Sequence, residues 1–311
     1  MPQATKSGST CAELPICSVM QPDNWYDRRG HGTHCLGTIL GRTVNGVRIG
    51  VAPGVTDVIV GKVISDTGVG DHLQLIEAIA WAFEQRADII NISLEYDWPA
   101  KVREIMKRRN VKYDAANDIV RNLHREHLNF FESVVMKDLQ LAHVRLRTTP
   151  LVIAACGNGN DKRDPNNQLT VSFPGAAQGV LSVAAAGKSG KDLYLAHFCN
   201  NGATLCAPGV GVSSAATGGG TAQRLKTDSG TSMAAPHAAG VAALWWQLAR
   251  EQGYLPKTIA SRVESSLRYT ALVDGLAGSV KAGLINNGLV QAPAPPNSDG
   301  AAQQRNSCTI S

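Results

Sequence analysis

The segment Met233–Leu248 constrains the fold of this 311-residue chain more than any other, because it is apolar on nearly every face. A helix without a polar face belongs inside a domain, covered on all sides, rather than at its surface. The residues just before it, Gly230-Thr231-Ser232, are small and place a serine at the start of this helix. The chain is therefore expected to fold around a buried helix that presents Ser232 in its first turn.

Short apolar runs predict the strands around this helix. Four runs have strand length and are apolar almost throughout: Val58–Ile64, Asp88–Leu94, Pro150–Ala155 and Val180–Ala185. Helical spacing of apolar residues lies between them, at 34–41 and at Leu73–Gln85. Strands of this kind, alternating with helices, indicate a parallel sheet covered on both faces. We predict an α/β fold with three layers, in which a central parallel sheet lies between helices.

The chain length and the changes in composition predict one main domain with flanking segments. Residues 1–29 are polar and are predicted to be loop, and residues 30–290 form the main domain. Residues 96–149 interrupt its pattern and predict an insertion of one or two amphipathic helices. This insertion is either a surface decoration or a lid that faces a substrate or partner. Residues 291–311 are rich in Pro, Ala, Asn and Gln and predict a disordered tail.

Charge and hydropathy exclude some classes of partner. The net charge of +5 is spread along the chain, and no basic run is interleaved with aromatic residues, so no nucleic-acid partner is predicted. No window approaches the ~18 apolar residues of a membrane span. Met1–Thr10 is polar and does not form a signal peptide, so the chain is intracellular or its N-terminus lies further upstream. The compartment and the oligomeric state stay open.

Seven cysteines leave at least one thiol without a partner inside the chain. Cys35 and Cys156 lie in apolar segments and are predicted to be buried thiols. Two short-loop disulfides, Cys11 with Cys17 and Cys199 with Cys206, remain open for an oxidising compartment. A zinc site is disfavoured because the chain has no Cys-x-x-Cys pair.

Ser232 and His31 are the candidates for a nucleophile and its base. A serine hydroxyl needs a base within hydrogen-bond reach, usually a histidine. Ser232 lies between small residues at a helix N-terminus, and Pro236 is tolerated if it falls in the first turn. His31 is flanked by two glycines, whereas His34 is predicted to be a structural histidine. A metal pair is disfavoured because Gly32 stands where a zincin has glutamate.

Asn158 is the candidate for the third role, donation of a hydrogen bond to an oxyanion. It lies in a Gly-Asn-Gly turn just after the apolar run that ends at Ala155, and it could equally be an ordinary turn residue. The serine motif is not the Gly-x-Ser-x-Gly elbow, because Ala234 stands at its last position. A lipase or esterase is therefore disfavoured.

Five segments occur in an order that resembles the subtilase family of serine peptidases, including its subtilisin and proteinase K branches. They are Gly30-His31-Gly32-Thr33-His34-Cys35, Gly50-Val51-Ala52-Pro53, Ile90-Asn91-Ile92-Ser93-Leu94, Cys156-Gly157-Asn158-Gly159 and Gly230-Thr231-Ser232-Met233-Ala234-Ala235-Pro236-His237. The resemblance implies a subtilisin-like endopeptidase that acts on polypeptides, with its cleft at the carboxyl ends of the strands.

The resemblance also implies a primary specificity pocket lined by Ser93-Leu94 and Ala155-Cys156-Gly157. Glu95 stands where the family usually has glycine, which predicts an altered pocket entrance and favours basic side chains there. Calcium is common in the family, but its usual loop would fall near Asn45-Gly46 without the upstream ligands. No cofactor and no metal are predicted.

The family's third catalytic residue, an aspartate at the end of a buried strand well before the histidine, is not found. Asp66-Thr67-Gly68 has the right letters but follows His31, and Asp23 and Asp27 lie in a polar loop, with Asp27 the better substitute. Three explanations stay open. The aspartate strand lies upstream of Met1, or the protein is an impaired peptidase that binds peptides, or another chain supplies the carboxylate.

Overall fold

The structure is a computed structural model, and it describes residues 16–18, 26–68, 70–136, 149–161, 168–218, 224–281 and 283–294. The predicted tail after residue 294, and the residues Cys11, Asp23 and Cys308, lie outside the described residues.

The strands of the described chain are β1 (Ile16–Ser18), β2 (Thr43–Val44), β3 (Val47–Arg48), β4 (Val60–Lys62), β5 (Ile89–Ile92), β6 (Leu151–Ala155), β7 (Val180–Ser189), β8 (Asp192–Leu195), β9 (Leu205–Pro208), β10 (Val212–Ala215) and β11 (Leu225–Asp228). Its helices are α1 (His31–Leu40), α2 (His72–Glu84), α3 (Trp98–Arg109), α4 (Tyr113–Phe130), α5 (Thr231–Glu251), α6 (Pro256–Tyr269) and α7 (Ala277–Lys281).

The main sheet is largely parallel, as predicted. Strands β5, β6 and β7 lie side by side in parallel, and β9 pairs in parallel with β7. Strand β8 pairs with β7 antiparallel, which the sequence pattern did not indicate. The turn between them contains Gly190 at φ 60°, a left-handed conformation that favours glycine. A tight hairpin at this point therefore adds one antiparallel strand to the sheet.

Helices cover both faces of this sheet. Successive side chains of a strand point to opposite faces. On β6, Leu151, Ile153 and Ala155 therefore join the core that contains α5 and α6. Val152 and Ala154 join a second core with residues of α2. The three-layer α/β prediction is confirmed.

The buried central helix is α5, and its start differs from the prediction in one respect. The helix begins at Thr231, so Pro236 lies in the second turn rather than the first. Proline has no N–H, so the carbonyl four residues earlier, that of Ser232, lacks its usual helical partner. The Cys35 thiol donates to this carbonyl instead, at 3.3 Å. The sulfur contact joins α1 to the first turn of α5.

The prediction of loop up to residue 29 is wrong at one place. Residues Ile16–Ser18 form β1, which pairs in parallel with β4, Ile16 opposite Val60 and Ser18 opposite Lys62. A run of three residues is shorter than the four or more needed to read a strand from its pattern. Pairing with the apolar strand β4, rather than local pattern, therefore defines this element.

The predicted insertion forms the helical pair α3 and α4, and α4 continues as a π-helix over Phe131–Met136. The pair buries its own small core of Val102, Ile105, Ala116 and Val120. Phe131 is fully buried and meets Phe173 edge to face at 5.3 Å between ring centroids. The insertion is therefore anchored to the main core as well as packed within itself.

Cys35 and Cys156 are buried thiols, as predicted. Burial raises the pKa of Cys35 to about 11, so this thiol is neutral near pH 7. The disulfide considered between Cys199 and Cys206 does not form in this structure, and both residues are buried in the core around β7 and β9. The side chain of Cys17 lies outside the described residues.

None of the described helices combines the length and the apolar character that crossing a membrane requires.

Candidate active site

The topology brings Ser93, Asn158 and Ser232 to one edge of the sheet. Strands β5 and β6 are parallel neighbours, so their carboxyl ends lie at the same edge. Ser93-Leu94-Glu95 follows β5, and Gly157-Asn158 follows β6. The N-terminus of α5 reaches this edge too, because Thr231 N–H donates to Asn158 Oδ1 at 2.8 Å.

Ser232 lies in the first turn of α5 and is half-buried. Its hydroxyl donates to the carbonyl oxygen of Ser93 at 3.3 Å. The N–H groups in the first turn of a helix have no intrahelical partners, so the Ser232 amide is a second potential donor at this point. The residue thus has two potential donors, its hydroxyl and its backbone N–H.

His31 is the first residue of α1. It lies one turn before Cys35 on the same helix face, and the Cys35 thiol contacts the Ser232 carbonyl. Burial lowers the pKa of His31, and the charges of Asp27 and Asp228 oppose this only in part. The imidazole is therefore neutral near pH 7, which is the form that can accept a proton.

Asn158 is held at both ends of its side-chain amide. Its Oδ1 accepts from Thr231 N–H at 2.8 Å and from Thr231 Oγ1 at 3.1 Å, and its Nδ2 donates to Glu95 Oε1 at 3.0 Å. An amide nitrogen carries two donor hydrogens, so one remains for another acceptor. The bonds fix the orientation of the amide, with its oxygen toward Thr231 and its nitrogen toward Glu95.

Glu95 makes a second bond to the same residue, because its Oε2 accepts from the Asn158 backbone N–H at 2.6 Å. Burial raises the pKa of Glu95; the Asn158 bonds oppose this shift, and the charge of Asp97 adds to it. The sequence placed Glu95 at a pocket entrance but gave no sign of its contact with the oxyanion candidate. Only the pairing of β5 with β6 brings the two together.

An open cavity of about 290 Å³ lies beside these residues. It is lined by Glu95, Tyr96, Asp97, Trp98, Pro99, His124, Asn158, Gly159, Gln168, Leu169, Thr170, Val171, Ser172 and Asn200. Trp98 and His124 come from the inserted helices, so the insertion faces the candidate site rather than only decorating the surface.

The subsite residues implied by the family resemblance are near this cavity but do not line it. Ser93 contacts Ser232 through its carbonyl, and Leu94 packs on the core beside α2. Ala155, Cys156 and Gly157 are buried at the end of β6. Their role in a specificity pocket stays a prediction.

Gly157 cannot be replaced without local strain. Its φ is +108°, and a Cβ there would lie 2.3 Å from Asn200 Nδ2 and 2.6 Å from Glu95 Oε2. We expect Gly157→Ala to lower the free energy of unfolding by about 2–5 kcal/mol, from backbone strain plus overpacking. Urea unfolding followed by circular dichroism measures this.

Gly202→Ala is the matched control, because Gly202 has φ +86° but open space around its Cβ position. It carries the backbone strain alone and is expected to cost about 1 kcal/mol. Equal losses in the two variants would show that the packing around Gly157 is not tight.

Asp27 binds the N-terminus of α1. Its Oδ1 accepts from the N–H groups of Arg29 (3.2 Å) and Gly30 (2.8 Å), and its Oδ2 accepts from Thr33 N–H (2.8 Å) and Thr33 Oγ1 (2.9 Å). Burial alone would raise the pKa of Asp27, but these bonds outweigh it and hold the pKa below its usual range. Asp27 therefore caps the helix that carries His31.

Removing this charge is expected to destabilise the protein. Asp27→Asn should lower the free energy of unfolding by about 1–2 kcal/mol at pH 7, the usual cost of losing a helix cap. The folded pKa is depressed, so the contribution is present above about pH 4 and is lost as pH falls through the folded pKa. Urea unfolding from pH 7 down to about pH 2, below the ordinary pKa of an aspartate, measures the difference from wild type, with the exposed Asp57→Asn as control. A loss no larger than that of the control would exclude the capping role.

Asp66 and His34, the other residues that the sequence analysis considered, make bonds to neighbouring groups. Asp66 pairs with Lys62 at 2.8 Å and Arg28 at 3.2 Å, and its exclusion as a catalytic residue stays a prediction. His34 is buried, and its Nε2 lies 3.1 Å from the carbonyls of Val212 and Lys226, as a structural histidine should. Within the described ranges no three His, Cys, Asp or Glu side chains cluster closely enough to hold a metal ion.

The chain is similar in sequence to known serine proteases. Residues 15–298 match the profile of the subtilase family, Peptidase_S8. An intracellular serine protease of Paenibacillus polymyxa is 35% identical over 231 residues, which cover 73% of this chain and 57% of that protein. A thermostable alkaline protease of Halalkalibacterium halodurans is 29% identical over 88% of this chain and 60% of its own length. The chain thus spans somewhat more than half the length of these relatives.

Solved structures share the fold. A psychrophilic protease superposes with a TM-score of 0.53 at 25% identity, covering 81% of this chain and 74% of the other. A lanthipeptide protease gives a TM-score of 0.56 at 23% identity, over 85% of this chain and 74% of the other. The range matched by the family profile, residues 15–298, includes β1 and α5.

Proposed function

The chain belongs to the subtilase family, and on that premise we propose that it is a serine peptidase that hydrolyses peptide bonds in polypeptides. Ser232 is the nucleophile, His31 is its general base, and Asn158 is the oxyanion donor. The observation that carries the proposal is the bond from Thr231 N–H to Asn158 Oδ1. This bond holds the Asn158 amide beside the first turn of α5, which contains Ser232.

The proposed reaction begins with proton transfer. The Ser232 hydroxyl rotates from the Ser93 carbonyl toward His31 and loses its proton to the neutral imidazole as its oxygen attacks the substrate carbonyl. The negative oxygen then receives hydrogen bonds from the second Nδ2 hydrogen of Asn158 and from the Ser232 N–H. His31 returns the proton to the leaving amine, and water releases the acyl group by the same steps in reverse.

Asp27 supports the imidazolium through its charge. Among the charged groups that raise the pKa of His31, Asp27 has the largest effect. Its charge therefore favours the protonated imidazole during the reaction. Its oxygens are bound to Arg29, Gly30 and Thr33, so it also fixes the start of α1. In this proposal Asp27 is a positioning residue.

Hydrolysis of an unfolded polypeptide tests the proposal. The full chain is incubated with reduced, carboxymethylated protein, and new α-amino groups are measured with and without a serine-directed sulfonyl fluoride. New amino groups that disappear with the inhibitor are expected. Cleavage that the inhibitor leaves unchanged would contradict the role of Ser232.

A second candidate function is a peptide-binding module without turnover. Two observations favour it: the Ser232 hydroxyl donates to Ser93, and Glu95 occupies one hydrogen of the Asn158 amide. This candidate predicts that peptides bind equally to wild type and Ser232→Ala and that neither protein cleaves them. Turnover by the wild type that Ser232→Ala abolishes would reject it.

A further inference from the structure

Two carboxylates line the cavity beside Asn158. Glu95 and Asp97 both line it, and none of its described lining residues is a lysine or arginine. The hydrogen bonds that Glu95 accepts come from neutral groups, the amide and backbone N–H of Asn158. A partly buried carboxylate without a cationic partner is costly, and a bound cation would relieve that cost.

Aromatic rings are among the residues that line the same cavity. Tyr96 and Trp98 lie 6.4 Å apart between ring centroids, and Trp98 lies 5.3 Å from His124. Faces of tyrosine and tryptophan attract ammonium and guanidinium groups. His124 adds no positive charge in this arrangement, because its Nε2 accepts the N–H of Phe173 at 3.2 Å.

We propose that this cavity binds a lysine or arginine side chain of the substrate, with Glu95 as its ionic contact and Tyr96 and Trp98 as its walls. The proposal rests on the proposed function, which supplies the polypeptide. A volume of about 290 Å³ lies at the lower end of ligand pockets and suits one long side chain. The cavity adjoins Asn158, so the bound side chain belongs to a residue close to the attacked carbonyl.

The same carboxylate links side-chain binding to the chemical step. Glu95 lies within hydrogen-bond distance of the amide that would stabilise the oxyanion, so its negative charge opposes the charge that develops there. A cation in the cavity offsets this repulsion. A basic side chain is therefore expected to raise kcat as well as lower KM, whereas a purely structural Glu95 would affect basic and neutral substrates alike.

Matched peptides test this preference. Four fluorogenic tetrapeptides differ only in the residue before the cleaved bond: arginine, lysine, norleucine or glutamate. For wild type, kcat/KM for arginine and lysine is expected to exceed that for norleucine by about 10–100-fold, the range of a hydrogen bond to a charged group. Glu95→Gln should reduce this ratio to about threefold or less. An equal ratio in wild type and Glu95→Gln, or no preference in wild type, would overturn the proposal.

Binding separates this proposal from the peptidase activity. Peptidyl-arginine amide and peptidyl-norleucine amide are titrated into the Ser232→Ala protein and the Ser232→Ala, Glu95→Gln protein by calorimetry. Tighter binding of the arginine peptide that depends on Glu95 supports the cavity even if no form hydrolyses peptides. Hydrolysis without any preference for basic residues would support the peptidase function and contradict the proposed site for a basic side chain. Glu84→Gln, at an exposed position on α2, is the matched control, and thermal unfolding checks that each variant folds.

Discussion

Replacing Ser232 by alanine is expected to lower kcat by about 10²-fold. In subtilisin, a member of the family, loss of the serine costs about 10⁶-fold in kcat and loss of the aspartate alone about 10⁴-fold, and Asp27 acts here only as a positioning residue. The hydroxyl is the only group in the proposed reaction that forms a covalent bond with the substrate. Its removal takes away one hydrogen bond, to the Ser93 carbonyl, and leaves the helix contact between Cys35 and the Ser232 carbonyl intact. The measurement is initial-rate kinetics on a fluorogenic peptide.

The fold is expected to survive this change, because alanine is a good helix former. Thermal unfolding within about 2 °C of wild type and unchanged peptide affinity would show that only chemistry was lost. Ser229→Ala, just before the helix, is the matched control and should keep its turnover. Retained turnover in Ser232→Ala would remove Ser232 from the mechanism.

Asn158→Leu should lower kcat by about 10²–10³-fold with little change in KM, because the oxyanion exists only in the transition state and the state close to it. That magnitude again comes from subtilisin and is transferred to this relative. Leucine has nearly the same shape as asparagine but cannot donate a hydrogen bond. Stopped assays over a range of peptide concentrations separate kcat from KM.

The bond from Thr231 to Asn158 is also lost in this variant, so stability must be measured alongside. Asn122→Leu, at an exposed position on α4, is the control and should leave both constants unchanged. A normal kcat in a folded Asn158→Leu protein would mean that Asn158 only shapes the turn after β6.

The sequence predicted the central layers well, because their signals are local and strong. Strands β5, β6 and β7 are continuous apolar runs, and α5 is apolar all round, so burial follows from composition alone. The antiparallel β8 and the strand β1 escaped prediction. Strand β1 is too short to show a pattern and depends on β4 as a partner.

The candidate site was predicted in its parts but not in its contacts. Ser232, His31 and Asn158 carry motif signals, whereas the bond between Glu95 and Asn158 joins two segments 63 residues apart. His124 and Trp98 come from an insertion whose helices could be predicted from periodicity, but not the direction in which they face. Contacts between side chains that meet only after the sheet forms cannot be predicted from the local sequence pattern.

Covalent labelling of Ser232 tests the central claim most directly. The full chain is treated with a fluorophosphonate probe, digested, and analysed by mass spectrometry, with Ser232→Ala and His31→Ala treated in parallel. A single adduct on Ser232 that is absent from Ser232→Ala and strongly slowed in His31→Ala is the predicted result. An unlabelled Ser232 in folded wild-type protein, or labelling that does not depend on His31, would contradict the account.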